Sequence, residues 1–238
     1  MIHDRPALSG RGSISRYVAH AAGEIAFIFV GITLALWFGN WNAERQLRTV
    51  ELQTLADIAE DLRANATHIG SNIDTDSKSI DACIRFTRAL DSEASWSEAL
   101  GTDLGFCHVW TSPFLRSAGY ESLKMKGPEL VINPGLRSEI IALYEQSYRF
   151  LLDDMDKAFW AFHSAVIDPV FNRYARADGA DYVPNDFKQL RNAPEFRNML
   201  ARKLALQDAS IQTQRSVLKD TNRVIRSIEA ELTARKEP

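Results

Sequence analysis

Hydrophobic positions along the chain fall into three successive patterns. In residues 17–41 the only formal charge is Glu24, and the rest is almost continuously apolar. At 1.5 Å per residue such a helix extends roughly 38 Å, against a hydrocarbon core about 30 Å thick. Trp37 and Trp41 stand at one end and Tyr17 at the other, the placement of interfacial aromatic belts. The exit, LALWFGNWNAER, carries bulky tryptophans and no A-x-A site, which reads as an uncleaved anchor rather than a signal peptide. Beyond residue 42 the pattern changes to spacings of three and four. Leu55, Ile58, Leu62, Asn65, Ile69, Ile73, Asp76, Ile80, Cys83, Thr87 and Leu90 form a heptad-like seam with one stutter. Gly70 lies inside it and predicts a bend. The third pattern follows Pro194, where Leu204, Ile211, Leu218, Ile225 and Leu232 recur every seven residues. Beside that line run Leu200, Gln207, Gln214, Thr221 and Ile228, so the middle of this seam is polar.

Between these seams the signals are shorter. Residues 91–119 are rich in glycine and serine, predicting a short helix near residues 96–100 and then turns. Trp96, Phe106, Trp110 and Phe114 are too many aromatics for a solvated loop and predict a cap over one end of a bundle, with a ligand cage as the rival reading. Residues 120–126 read as a short helix stopped at Gly127-Pro128. Asn133-Pro134 opens a second long helix, with asparagine as cap and proline in the first turn. Its apolar face is Ile140, Tyr144, Leu151, Met155, Phe159, Phe162 and Val166, and Pro169 should kink or end it. Residues 175–186, ARADGADYVPND, read as a loop, and no strand signal of consequence appears. The expected fold is all-α. A short cytoplasmic tail (1–16) precedes one N-terminal transmembrane helix (17–41). That helix continues into an antiparallel helical bundle (42–238) of about three long helices, up-down-up, with short capping helices.

Charge and composition narrow the function classes. The 238 residues carry a net charge of −3, and the pI of about 6.0 argues against a nucleic-acid binder, which shows a basic face. Only two cysteines are present, Cys83 and Cys107, so no disulfide framework exists and a single bridge is left open. Arg5, Arg11 and Arg16 precede the apolar stretch while Arg45 and Arg48 follow it. That bias leans towards a cytoplasmic N-terminus in the inner (plasma) membrane and an extracytoplasmic, periplasmic C-terminal domain.

Chemistry-bearing positions are few. Along the apolar helix His20, Glu24, Gly31, Ala35, Gly39 and Asn42 share one stripe. Gly31-x-x-x-Ala35-x-x-x-Gly39 is a small-xxx-small ladder that lets two backbones approach in lipid. Glu24 either marks the headgroup level or sits at a helix–helix seam of a homo-oligomer. The polar seam positions Asn65, Asp76, Gln207, Gln214 and Thr221 either pair to fix register or form a small polar ligand site. Nucleotide-binding glycine loops, H-E-x-x-H and G-x-S-x-G are all absent from the sequence. The five histidines have no metal-ligand partner at short spacing, and His163 beside Phe159 and Phe162 reads as a packed side chain. Asp153, Asp154 and Asp156 read as a solvated acidic patch. No catalytic residue, cofactor or metal site is expected.

The stretch GEIAFIFVGITLALWFGNWNAER resembles the opening of a widespread group of bacterial single-pass membrane proteins of unknown function. The matching positions are Gly23, Glu24, Ile25, Gly31, Ile32, Ala35, Leu36, Asn40, Trp41 and Asn42, with Ala43 a departure before Glu44. Tyr120, Ser122, Leu123, Lys124 and Gly127 resemble that group's central Y-x-S-L-K-x-x-G segment. The resemblance implies a bitopic protein with an extracytoplasmic helical domain and supplies no activity. The expected function is a membrane-anchored interaction or scaffold module whose partners are the lipid bilayer and either further copies of itself or another membrane protein. The alternative is a ligand-sensing bundle. The few residues before the anchor make a signalling output domain on that side unexpected, so a sensor would act through a partner.

Overall fold

The structure, a computed structural model, describes the backbone of residues 11–92, 94–179 and 181–235, and their side chains except at 11–22, 25 and 26. The described chain divides into two units, Met1–Glu51 and Leu52–Pro238. The elements are α1 (Arg11–Asp91), α2 (Glu98–His108), α3 (Ala118–Lys126), α4 (Pro134–Ala142), α5 (Lys157–Phe162), α6 (Asp168–Tyr174), β1 (Ala175–Asp178), β2 (Asp181–Pro184), α7 (Phe187–Arg191) and α8 (Pro194–Ala234). The described part of the first unit, residues 11–51, is helical, and the apolar side chains described there face outwards. Phe27, Phe29, Leu34, Leu36 and Trp37 all keep more than half of their surface. Among the described residues no helix is long and apolar enough to cross a membrane. The expected span of 17–41 lies partly outside the description, since nothing is described of the side chains of 17–22, 25 and 26, and most of the expected 1–16 tail lies outside it altogether.

The second unit is built on the two long seams. On α1 Leu55, Ile58, Leu62, Asn65, Ile69, Asp76, Cys83 and Leu90 are buried, as their spacing predicts. On α8 the buried face is Phe196, Leu200, Lys203, Gln207, Ser210, Gln214, Val217, Thr221, Val224 and Ile228, alternating by four and three. Of the line expected to lead the seam, Ile211 and Ile225 are buried beside this face, while Leu204, Leu218 and Leu232 are only half-buried and flank it. α1 and α8 run antiparallel, because Arg63 pairs with Glu229 while Phe86 packs on Phe196.

Residues 134–174 are helical throughout, with π-helical turns at Leu143–Tyr148, Phe150–Asp156 and His163–Ile167. Asn133 caps the start, its side chain accepting from the Gly135 and Leu136 amides. Pro169 does not end this helix. It falls in the first turn of α6, directly after a π turn, and the altered hydrogen-bond register there absorbs the missing N–H. Asn133 bonds Glu231, Tyr148 meets Thr221, and Phe171 packs on Phe196, so this helix is also antiparallel to α8. It therefore runs in the same direction as α1, and the order is up-up-down rather than up-down-up. The reason is the length of the connection.

Residues 92–133 do not cap one end of the bundle; they travel back along α1. The contacts step in order: Ser79 to the Phe106 carbonyl, Asn72 to Ser112, Asn65 to Arg116, the Gly119 amide to Asp61, and Lys126 to Thr54. Residues 109–117 form no helix, so their backbone polar groups need partners. Asn65, Asn72 and Ser79, seven residues apart on α1, supply several of them. Asn65 both donates to the Arg116 carbonyl (2.9 Å) and accepts from its amide (2.7 Å). Gly119 seats α3 against α1, since a Cβ there would lie 2.8 Å from the Ile58 nitrogen. The aromatics of this connection do not form a cage. Trp96 meets Phe187 edge-on, Trp110 stacks on Phe159, and Phe106 and Phe114 remain exposed.

The expected loop at residues 175–186 contains a hairpin instead. β1 and β2 pair antiparallel from Ala175↔Pro184 to Asp178↔Asp181. Gly179, with φ of 67°, supplies the left-handed conformation that so tight a reversal demands. α2 also runs longer than expected, from the Ser97 cap to His108, and Cys107 on it is disulfide-bonded to Cys83 on α1, with Cα atoms 4.9 Å apart.

Candidate functional site

Two apolar clusters make up the core of the second unit, one around Leu62, Ile140, Tyr144 and Ile228, the other around Phe86, Phe171, Phe196 and Leu200. Between them, on facing turns of α1 and α8, lies a buried polar layer. Asp76 accepts from Gln207 Nε2 through Oδ1 (3.2 Å) and from Gln214 Nε2 through Oδ2 (3.1 Å). The Lys203 ammonium donates to Gln207 Oε1 (2.6 Å) and to Ser79 Oγ (3.0 Å). Ser210 accepts a further bond from Gln214. Asp76, Ser79, Lys203, Gln207 and Gln214 are all completely buried.

Burial governs the electrostatics. Loss of water raises the Asp76 carboxyl above its ordinary range, while Thr111 and the two glutamine amides act against that rise. The same desolvation pulls the Lys203 ammonium down to about 7, with the Asp76 charge opposing it. A lysine that titrates near neutrality without any exposed surface is the most perturbed group of the layer.

Of the polar seam positions marked in the sequence, the fold brings Asp76, Gln207 and Gln214 together. Asn65 is buried elsewhere as the clamp on Arg116, and Thr221 bonds the Tyr148 hydroxyl at 3.0 Å. Lys203 and Ser79 complete the layer and were not marked. Lysine ordinarily reads as a solvated residue, and only its place four residues before Gln207 on the seam hinted otherwise. Glu24, Gly31, Ala35 and Gly39 lie in the first unit and are exposed, with nothing within 4 Å of a Cβ built at either glycine. Asp153 pairs with Lys157, and Asp156 accepts from the Trp110 indole and Ser112, so the acidic patch is a set of ordinary partners.

Histidines scattered in sequence do converge in space. His108, His163 and Asp168 bring their ligand atoms within 4.8 Å of one another. Burial lowers the His108 pKa, and its hydrogen bond to Asp168 opposes that shift. No family model, curated protein or solved structure matches the chain.

Proposed function

We propose that the chain is a membrane-anchored helical interaction module, with the unit Leu52–Pro238 displayed in an oxidising, extracytoplasmic compartment. The observation that carries this reading is the first unit's surface. Phe27, Ile28, Phe29, Val30, Ile32, Leu34, Leu36, Trp37 and Phe38 are all exposed, at consecutive as well as helically spaced positions, so apolar groups cover every side of the helix. A helix apolar all round belongs in a protein core or in lipid. Arg45 lies over the Trp41 ring at 5.5 Å, an arrangement suited to the headgroup level. The buried Cys83–Cys107 bridge supports an oxidising compartment, in which disulfides persist. The N-terminal resemblance to bitopic bacterial proteins agrees in class.

The binding role rests on the same helix. Gly31, Ala35 and Gly39 leave a smooth exposed track on which a second helix packs closely, and a second copy of the chain is the simplest partner. A ligand sensor has less support, because Asp76, Gln207 and the Gln214 amide nitrogen bond one another and Asn65 holds the return segment. The test is alkaline extraction of membranes from cells making the full chain, followed by crosslinking. The chain should stay with the membranes, Ile32→Glu/Leu36→Glu should release it, and Gly31→Leu/Gly39→Leu should stay in the membrane but lose the crosslinked dimer. Release of the unaltered chain by alkali would end the anchoring proposal; a dimer undiminished by the glycine substitutions would end the packing proposal.

A further inference from the structure

Neither the hydrogen bonds of the buried polar layer nor the apolar first unit use the side chains of His108, His163 and Asp168, although Lys203 of that layer is close enough to act on His108 electrostatically. His108 is the last residue of α2, His163 opens a π turn, and Asp168 opens α6. In a regular α-helix residues five apart point about 140° away from each other. The π turn His163–Ile167, with its wider i→i+5 bonding, closes much of that angle and brings both side chains to one side. The Cys83–Cys107 bridge then fixes the last turn of α2 beside them, one residue before His108.

His108 Nε2 lies 2.9 Å from Asp168 Oδ1, and His163 Nδ1 lies 3.3 Å from Oδ2. In a site with metal–ligand bonds of about 2.0–2.1 Å, neighbouring ligand atoms stand roughly 3.0–3.4 Å apart. Both nitrogen–oxygen edges are already near that length. His163 is the informative residue. Its side chain is only 7% exposed, and its Nδ1 makes no hydrogen bond despite the carboxylate in front of it. Its other nitrogen, Nε2, faces the His108 carbonyl at 3.4 Å. A proton on Nε2 leaves the buried Nδ1 with a lone pair that accepts no hydrogen bond, beside but not aligned with the Asp168 carboxylate, and a cation shared by the two would fill that place. A backbone carbonyl holding the far nitrogen is also how metal-ligating histidines are oriented. Phe171 and Tyr182 pack around the His108 ring and Trp160 against His163, giving a largely apolar wall. Asp168 keeps 43% of its side-chain surface, so water reaches the open side.

We propose that His108, His163 and Asp168 form a divalent transition-metal site, with His108 Nε2, His163 Nδ1 and the Asp168 carboxylate as ligands and water completing the shell. Two imidazoles and one carboxylate are the donor set of open zinc and non-haem iron centres, as distinct from the all-oxygen cages of calcium and magnesium.

Isothermal titration of the full chain in detergent, in its oxidised form so that no thiolate competes, tests this with zinc chloride as probe and cobalt chloride for its visible spectrum. One equivalent should bind, and Asp168→Asn, at a half-exposed position, should weaken binding by more than the roughly 10–100-fold that loss of a partner behind a ligand costs, with circular dichroism checking that it folds. His163→Ala should do the same, with circular dichroism checking that it folds. Loss in the Asp168 variant separates this site from the other histidines of the chain. Absence of stoichiometric zinc binding by the unaltered protein, or equal affinity in the unaltered protein and Asp168→Asn, would overturn the assignment.

Discussion

Lys203 is where a single proton bears most on stability. Its ordinary value is 10.5 and burial pulls it to about 7 in the fold. Between those values the unfolded chain holds a proton that the folded chain lacks. Stability therefore rises as pH increases from about 7 towards 10.5, and below about 7 the contribution is flat. Asp76 works in the opposite sense. Its raised value means that the folded chain keeps a proton in an acid window above 3.8 where the unfolded chain has lost it, so stability falls with rising pH there. Urea denaturation at pH 7 and at pH 9.5 should show a gain of up to about 3 kcal/mol for the unaltered protein. Lys203→Met should flatten that gain, and parallel slopes in the two proteins would refute the assignment. Asp76, Gln207 and Gln214 were legible as polar interruptions of apolar seams. Lys203 was not, because a lysine's usual place is in water and only burial from both long helices makes it otherwise.

At the scale of elements, close approach decides what two glycines tolerate. Gly119→Ala would push a methyl group to 2.8 Å from the Ile58 nitrogen of α1, a backbone atom that cannot rotate away. The expected loss is about 1–3 kcal/mol in thermal or chemical denaturation. Gly70→Ala, inside α1 with nothing within 4 Å of the new carbon, should instead gain about 0.5–1 kcal/mol from helix propensity. If both substitutions shift stability the same way, the seating of α3 on α1 is wrong. The stop at Gly127-Pro128, the Asn133 cap and the start at Pro194 were readable because each is local chemistry. The π turns were not, since nothing in a window of a few residues requires an extra residue in the turn. Gly179 alone announced the hairpin, and it stood in a stretch too polar to suggest strands.

For the molecule as a whole, the one covalent cross-link joins α1 to the start of the return path. Closing a loop with a sequence separation of 24 removes unfolded-chain entropy that corresponds to about 3 kcal/mol. Chemical denaturation with and without reductant should show a loss of that order, and Cys83→Ala/Cys107→Ala should lose stability similarly and become insensitive to reductant. A variant that still responded to reductant would exclude the bridge as the cause. Both sulfurs are fully buried, so the unaltered protein should resist reduction until it unfolds.

The sequence by itself determined which residues are helical over long runs, which faces of α1 and α8 turn inwards, and that residues 27–41 carry apolar side chains all round. Those properties repeat every few residues and depend on neighbours along the chain. Only the tertiary structure decided that the connection runs the length of α1, which sets two long helices parallel. It alone placed Lys203 between Ser79 and Gln207, and His108 beside His163 and Asp168. Such pairings join positions up to 124 residues apart, and they arise from the satisfaction of buried polar groups across elements, which no periodicity encodes.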